Sequence, residues 1–354
     1  MDLDNKISDI MRQYAVDGLL ISNACNMRYL SGFTGGTGYL FITEGRKVVI
    51  TDFRYVSQAE MESSEYEVFE IDVSYEEAIN LLIKEEKIET LGFEGNDILL
   101  KSYEKLRDNL ELKRLVAVRD EISLLRAIKE PWELERIAQA EKIGDYAFDK
   151  VLGLIKPGMT ELEVAALIEY NLKSNGAENL SFDTIVASGA NSALPHAVPT
   201  NKRIEMGDFV TMDFGCVYQG YCSDMTRTIV VGKASLEQKQ IYQLVLDAQM
   251  AALDFIKAGY TGCEIDNVAR KMIYDAGYEG CFGHGLGHSV GLNVHENPRL
   301  SPSEQRVIEA NMVVTIEPGI YVKDFGGVRI EDLVCVTEAG AANYTNSNKK
   351  LIEL

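Results

Sequence analysis

Histidine is the scarcest chemically useful residue here. The chain of 354 residues has four, His196, His284, His288 and His295, all in one stretch of its second half. Basic residues are also short, with 35 Lys and Arg against 55 Asp and Glu and a formal net charge of −20. That balance argues against nucleic acid or an anionic membrane as the main partner, because both require a basic footprint. No apolar run approaches the roughly 18 residues that cross a bilayer. The opening MDLDNKISDIMRQ lacks the basic start and apolar centre of a signal peptide. Six cysteines (25, 216, 222, 263, 281, 335) have no CxxC spacing, so nothing favours a zinc site or a disulfide framework. They read as reduced thiols of a cytoplasmic protein. Low-complexity tracts and Pro/Ser-rich linkers are absent. What remains is ordinary globular composition, 46% apolar and 25% charged, in a length that predicts two domains.

The first third alternates helix and strand signals. Leu3, Ile7, Ile10, Met11 and Tyr14 form a helical stripe. Residues 18–22, 39–43, 47–51, 67–71, 91–94 and 113–118 read as strands, and 75–87 and 102–110 as helices. This predicts an α/β domain over residues 1–120, without histidine or a catalytic cluster. A charged helical stretch from Arg119 to about Glu130 follows. A long helix then starts at Pro131 and runs to Pro157-Gly158, inside a second domain spanning 121–354.

The second domain repeats itself. Lys156-Pro-Gly158-Met-Thr160-Glu-Leu-Glu163 matches Lys257-Ala-Gly259-Tyr-Thr261-Gly-Cys-Glu264 at an offset of 101 residues. In each copy a helix ends at glycine and a capping box starts the next one. Gly176 and Gly277, again 101 apart, close those second helices, and His196-x-x-Pro199 matches His295-x-x-Pro298. The pattern predicts two similar halves about a pseudo-twofold axis.

Each half continues into a hairpin signature, Phe209–Val231 and Met312–Val336, the second turning at Gly326-Gly327. Each carries two acids in apolar strands: Asp213 and Asp224, then Glu317 and Glu331. A twofold axis would bring the four together. Buried carboxylates repel and are costly to desolvate, and divalent cations resolve both problems. Two metals about 3.5–4 Å apart form a common hydrolytic centre. With one imidazole added, the donor set suits Mn(II), Co(II), Fe(II) or Zn(II). Thr211, Thr226, Thr315 and Arg329 lie two residues from proposed ligands, on the same strand face, as supporting partners. Asp324 and Asp332 read as solvated face residues. The loop HGLGHSVG lacks the context and the lysine of a phosphate cradle.

Together MDFG (212–215), SDMTRT (223–228), HGLGHSVGLNVHENP (284–298), IEPGIY (316–321) and GVRIEDL (327–333) resemble the metallopeptidases aminopeptidase P, prolidase and methionine aminopeptidase. The resemblance covers essentially the whole chain. It implies an α/β N-terminal domain like that of the proline-directed enzymes and an α+β, duplicated pita-bread catalytic domain with pseudo-twofold symmetry. It implies two divalent metal ions per chain, with Mn(II) first and Co(II), Fe(II) or Zn(II) as alternatives. Asp213, Asp224, His288, Glu317 and Glu331 match the metal ligands, Asp224 and Glu331 bridging. His196 and His295 match the histidines that hold substrate and move protons, and His284 a further histidine near the site. Arg329 matches an arginine supporting Glu331, and Arg299 one that grips the free carboxylate of a dipeptide in some prolidases. Creatinase relatives lack the metals, and every ligand position is filled here.

The implied activity is hydrolysis of the Xaa-Pro bond at the N-terminus of peptides or in dipeptides. In it Glu317 takes the proton of the attacking water and passes it toward the proline nitrogen, while His196 and His295 polarise the scissile carbonyl. The alternatives are methionine aminopeptidase specificity and a non-catalytic binding protein on the same fold. A homodimer in the cytoplasm is expected, with neither nucleic acid nor membrane as partner.

Overall fold

The computed structural model describes residues 3–354. It divides into two compact units between Arg126 and Ala127. Among the described residues, no helix is long and apolar enough to cross a membrane.

The first unit runs α1 (Leu3–Tyr14), β1 (Gly18–Ile21), α2 (Ala24–Ser31), β2 (Tyr39–Thr43), β3 (Lys47–Thr51), α3 (Val56–Glu62), β4 (Glu67–Glu70), α4 (Tyr75–Glu86), β5 (Thr90–Glu94), α5 (Leu100–Asn109), β6 (Arg114–Val118) and α6 (Glu121–Leu124). Its six strands form one sheet in the order β4-β3-β2-β1-β5-β6, with β1 antiparallel to β2 and parallel to β5. Alternate residues serve opposite faces. Leu19, Ile21, Leu40 and Ile42 join one core, and Leu20, Phe41, Val48 and Ile50 the other. Two short helices, α2 and α3, escape the periodicity. Eight residues are too few to develop a stripe, and α2 is set by its ends, Asn23 capping the Asn26 amide and Gly32 at φ 82°.

The unit boundary falls later than the expected 120/121 division, because Ile122 of α6 belongs to the first unit's core. The charged stretch 119–130 is helical only over Glu121–Leu124. Beyond it the backbone is extended: Lys129 N–H donates to Asn311 O at 2.9 Å, and Glu130, before Pro131, has ψ 157°. The Lys129 ammonium is buried and pairs with buried Glu296 at 3.2 Å.

The second unit is two matched halves. The first comprises α7 (Pro131–Leu152), α8 (Glu161–Ser174), β7 (Asn179–Leu180), β8 (Ile185–Ser188), β9 (Phe209–Phe214), β10 (Cys216–Tyr218), β11 (Tyr221–Cys222) and β12 (Met225–Val230). The second comprises α9 (Leu236–Phe255), α10 (Gly262–Asp275), β13 (Gly287–Ser289), β14 (Glu296–Leu300), β15 (Val313–Ile316), β16 (Gly319–Val322), β17 (Gly326–Arg329), β18 (Asp332–Val336) and β19 (Ala341–Asn343). Both capping boxes form: Thr160 Oγ1 accepts the Glu163 amide at 3.1 Å, and Thr261 Oγ1 the Glu264 amide at 3.2 Å. The stop glycines Gly176 and Gly277 have φ of 101° and 92°, which a Cβ would disfavour. α7 and α8 bury Ile143, Phe148, Val164 and Ile168 against Val186, Val210 and Met212. α9 and α10 bury Ile241, Val245, Ile265 and Ala269 against Val314, Ile316 and Val334.

Two expectations are corrected in the second hairpin. The chain turns at Lys323–Phe325, and Gly326-Gly327 lie inside β17. A Cβ on Gly327 would stand 2.2 Å from Ser192 O, so this glycine permits close approach of the Gly189–Ala193 turn of 3₁₀ helix. Asp324 is exposed, but Asp332 is fully buried, paired with Arg227 at 2.8 Å and Lys349 at 2.6 Å. The halves are stitched together here. Glu331 N–H donates to Thr226 O at 3.1 Å, and Arg227 Nη1 donates to Glu331 O.

Candidate metal centre

The carboxylates reach one place because the two hairpins put them there. Asp213 closes β9 opposite Thr226, Asp224 immediately precedes β12, Glu317 follows β15, and Glu331 lies between β17 and β18. Together with His288 on β13 they line a cavity of about 460 Å³, which also receives His196, His284, His295, Arg299 and Arg329. Phe182, Ile185 and Val198 add apolar wall. Asp224, His288 and Glu331 each bring one ligand atom within 4.8 Å of the others.

The protonation states follow from the surroundings. Burial, and then Glu331 and Asp213, hold the Asp224 carboxyl well above its ordinary range. Burial followed by Glu317 does the same to Glu331. Glu317, which has a hydrogen bond from Thr315 Oγ1 at 3.1 Å, is pushed up to about 8, chiefly by burial. The histidines move the other way. Burial and then His295 bring His288 down to about 3, and burial and then Arg329 bring His284 to about 4. Burial followed by Arg299 lowers His295. These imidazoles are neutral at pH 7.

A cation fits this donor set. His288 Nδ1 faces Ser289 O at 3.2 Å, and a carbonyl only accepts, so Nδ1 carries the hydrogen. The Nε2 lone pair therefore points at Asp224 Oδ2, 3.5 Å away, and Glu317 Oε1, 3.4 Å away. In the metal-free site a carboxyl proton occupies this contact, and a cation can take its place. Asp213 Oδ1 is also buried without a hydrogen-bond partner. Divalent ions would satisfy these atoms, and the fixed Nδ1–H···O bond is the orientation metal-binding imidazoles use.

Around this set lies a polar brace. Arg329 donates to Asp213 Oδ2 at 2.6 Å, to Thr226 Oγ1 at 3.0 Å and to Tyr321 Oη at 2.8 Å. Its direct carboxylate partner is thus Asp213. It reaches Glu331 through Thr226, whose hydroxyl donates to Glu331 Oε2 at 2.6 Å. Thr211 touches no ligand and bonds Thr228 at 3.0 Å. His284 Nδ1 faces Gly285 O at 2.8 Å, and its Nε2 lies 2.9 Å from Tyr321 Oη, so both ring nitrogens are engaged. Tyr321 has no role in the sequence reading. Its position four residues after Glu317, in a short strand, does not set it apart from any other strand tyrosine.

The open part of the cavity is the substrate side. His196 and His295 are exposed, and the His295 ring packs edge-on against His288 with centroids 4.4 Å apart. Arg299 is exposed on β14, in register with His288 across the strand pair.

Comparison with known proteins agrees with this arrangement. Residues 135–338 match Metallopeptidase family M24, and residues 5–128 match the Creatinase/Prolidase N-terminal domain. A Xaa-Pro dipeptidase of Pyrococcus horikoshii is 41% identical, over 99% of this chain and 100% of its own. The solved structure of a Xaa-Pro dipeptidase from Bacillus anthracis superposes with a TM-score of 0.97 at 42% identity, over 99% of both chains. That of an X-Pro aminopeptidase from Thermotoga maritima has a TM-score of 0.90 at 38% identity, over 98% of this chain and 100% of its own.

Proposed function

Because the chain belongs to metallopeptidase family M24, we propose that it hydrolyses Xaa-Pro bonds in dipeptides and at the N-terminus of short peptides. The observation that carries the reading is the His288 Nε2 lone pair turned onto the Asp224 and Glu317 carboxylates. Such a contact needs a proton or a metal ion between the atoms, and the clustered carboxylates with the family match favour the metal. Asp213, Asp224, His288, Glu317 and Glu331 would hold two divalent ions, Mn(II) first among those to test, which supply Lewis-acid polarisation and an activated water.

The side chains do the rest. Glu317, ionised once its own proton has been displaced, takes a proton from the attacking water and returns it to the proline nitrogen. His196 and His295 face the open cavity from opposite halves. Their ring N–H groups donate to the carbonyl oxygen as charge develops there. The Arg329–Tyr321–His284 chain holds the Asp213 carboxyl and the cavity wall in place. Arg299 stands where a free carboxylate can pair with it, which favours dipeptides. The family resemblance further suggests a homodimer, and the six free thiols suit the cytoplasm.

A substrate panel tests the reading. With Mn(II), Ala-Pro should turn over faster than Ala-Pro-Ala, and Met-Ala should be poor. Arg299→Ala should raise KM for Ala-Pro more than for Ala-Pro-Ala. Preference for the tripeptide moves the assignment to an aminopeptidase. Preference for Met-Ala, or no turnover with no bound metal, rejects it.

A further inference from the structure

Glu161 opens α8, lies outside the cavity and is fully buried. A carboxylate in that position must be matched by donors. All that reach it come from the segment that carries His196. Oε1 accepts the Ser188 amide at 2.7 Å, the Ser188 hydroxyl at 2.9 Å and the Asn191 side-chain amide at 3.1 Å. Oε2 accepts the Thr200 amide at 3.0 Å, the Thr200 hydroxyl at 2.6 Å and Asn191 again at 3.3 Å. One side chain therefore ties both ends of the loop together. Leu194, His196 and Val198 are all exposed, and among the described residues no hydrogen bond reaches the His196 ring. Further anchors reach it among the described residues: Ser192 Oγ accepts the Gly327 amide at 2.8 Å near its root, and Arg329 donates to Pro195 O at 3.3 Å.

We propose that Glu161 is a positioning residue for His196, setting where that imidazole stands over the cavity without touching substrate. The inference rests on the peptidase reading, in which His196 meets the scissile carbonyl. A shift of about 1 Å in such a group costs on the order of 100-fold in rate. Glu161→Gln keeps the volume but replaces one acceptor with an NH₂ that faces amide donors, so one end of the loop must let go. No metal ligand touches Glu161, so metal loading is separable from the effect.

The test is a double-mutant cycle on Ala-Pro with Mn(II): wild type, Glu161→Gln, His196→Ala and both. Glu161→Gln should lower kcat by about 10- to 100-fold at unchanged metal stoichiometry. Added to His196→Ala, it should cost no more than about twofold further, because the two act as one unit. An equal loss in both backgrounds overturns the proposal. Thr200→Val, which keeps the backbone amide bond, is the milder second variant and carries the same comparison if Glu161→Gln does not fold. A second arm needs no turnover. Histidine-ring NMR should show four signals, with His196 assigned by His196→Ala. In Glu161→Gln the His196 signal should shift while those of His284 and His288 stay. An unmoved His196 signal overturns the proposal whatever the rates. If wild type fails to cleave Ala-Pro, the peptidase reading falls, and this arm still decides the role of Glu161.

Discussion

Metal binding to this chain should release protons, and the number is set by the crowded carboxylates. In the metal-free protein Glu317 sits at about 8, and Asp224 and Glu331 are held well above the carboxylate range. A cation binds the ionised forms, so it must displace what these groups hold. At pH 7 the Glu317 proton alone costs about 1.4 kcal/mol to remove, one pH unit's worth. Each proton released makes the apparent association constant rise about tenfold per pH unit below the group's pKa. His288, at about 3, is already neutral and adds none. The assay is calorimetric titration of Mn(II) into chelator-stripped protein between pH 6 and 8, in two buffers of unequal ionisation enthalpy. The heats should differ between buffers, and affinity should climb by at least tenfold from pH 6 to pH 7. The stability sign runs opposite. A carboxyl with a raised folded pKa contributes stability that is full below about 4.5 and lost as pH rises through about 8, so the stripped protein should weaken over that window. Equal heats in both buffers, with affinity flat in pH, would refute the reasoning.

Three further outcomes follow from the geometry. Asp224→Asn should bind fewer than two metals per chain by elemental analysis and lose turnover; full activity contradicts the assigned centre. Lys129→Met removes the cation beside the buried Glu296 carboxylate and should cost about 3–5 kcal/mol, or roughly 6–20 °C in Tm for a unit of this size. Adding Glu296→Gln should recover most of it, and a double variant less stable than the single refutes the pairing. Gly327→Ala forces a Cβ to within 2.2 Å of Ser192 O and should destabilise by about 1–3 kcal/mol in denaturant melts; an unchanged midpoint argues against that close packing.

The donor set is legible in the sequence because carboxylates in apolar strands contradict their surroundings and therefore need a reason. Asp213, Asp224, Glu317 and Glu331 stand out in this way, and the repeat brings them together. Asp332 misleads for the same reason in reverse. Alternation puts it on the face opposite Glu331, but Arg227 and Lys349 cover that face where the pattern predicts solvent. Tyr321 and Glu161 leave no mark, since a strand tyrosine and a first-turn glutamate are both commonplace. Their importance lies in partners distant along the chain, such as His284 and Thr200. The helix misread over 119–130 shows the same limit: its charges serve distant anchors, Lys129 on Glu296 among them.

The stitching of the two halves has a consequence for how the protein comes into being. Glu331 N–H rests on Thr226 O, the Thr345 hydroxyl on Glu141 at 2.6 Å, and the candidate ligands divide between the halves. Those contacts span a hundred to two hundred residues, the kind that form last on a folding path. A nascent or half-folded chain thus has isolated carboxylates but no clustered centre, and weak hold on a cation. Metal capture becomes a report of completed folding: the catalyst arms itself only once both halves of the chain have met.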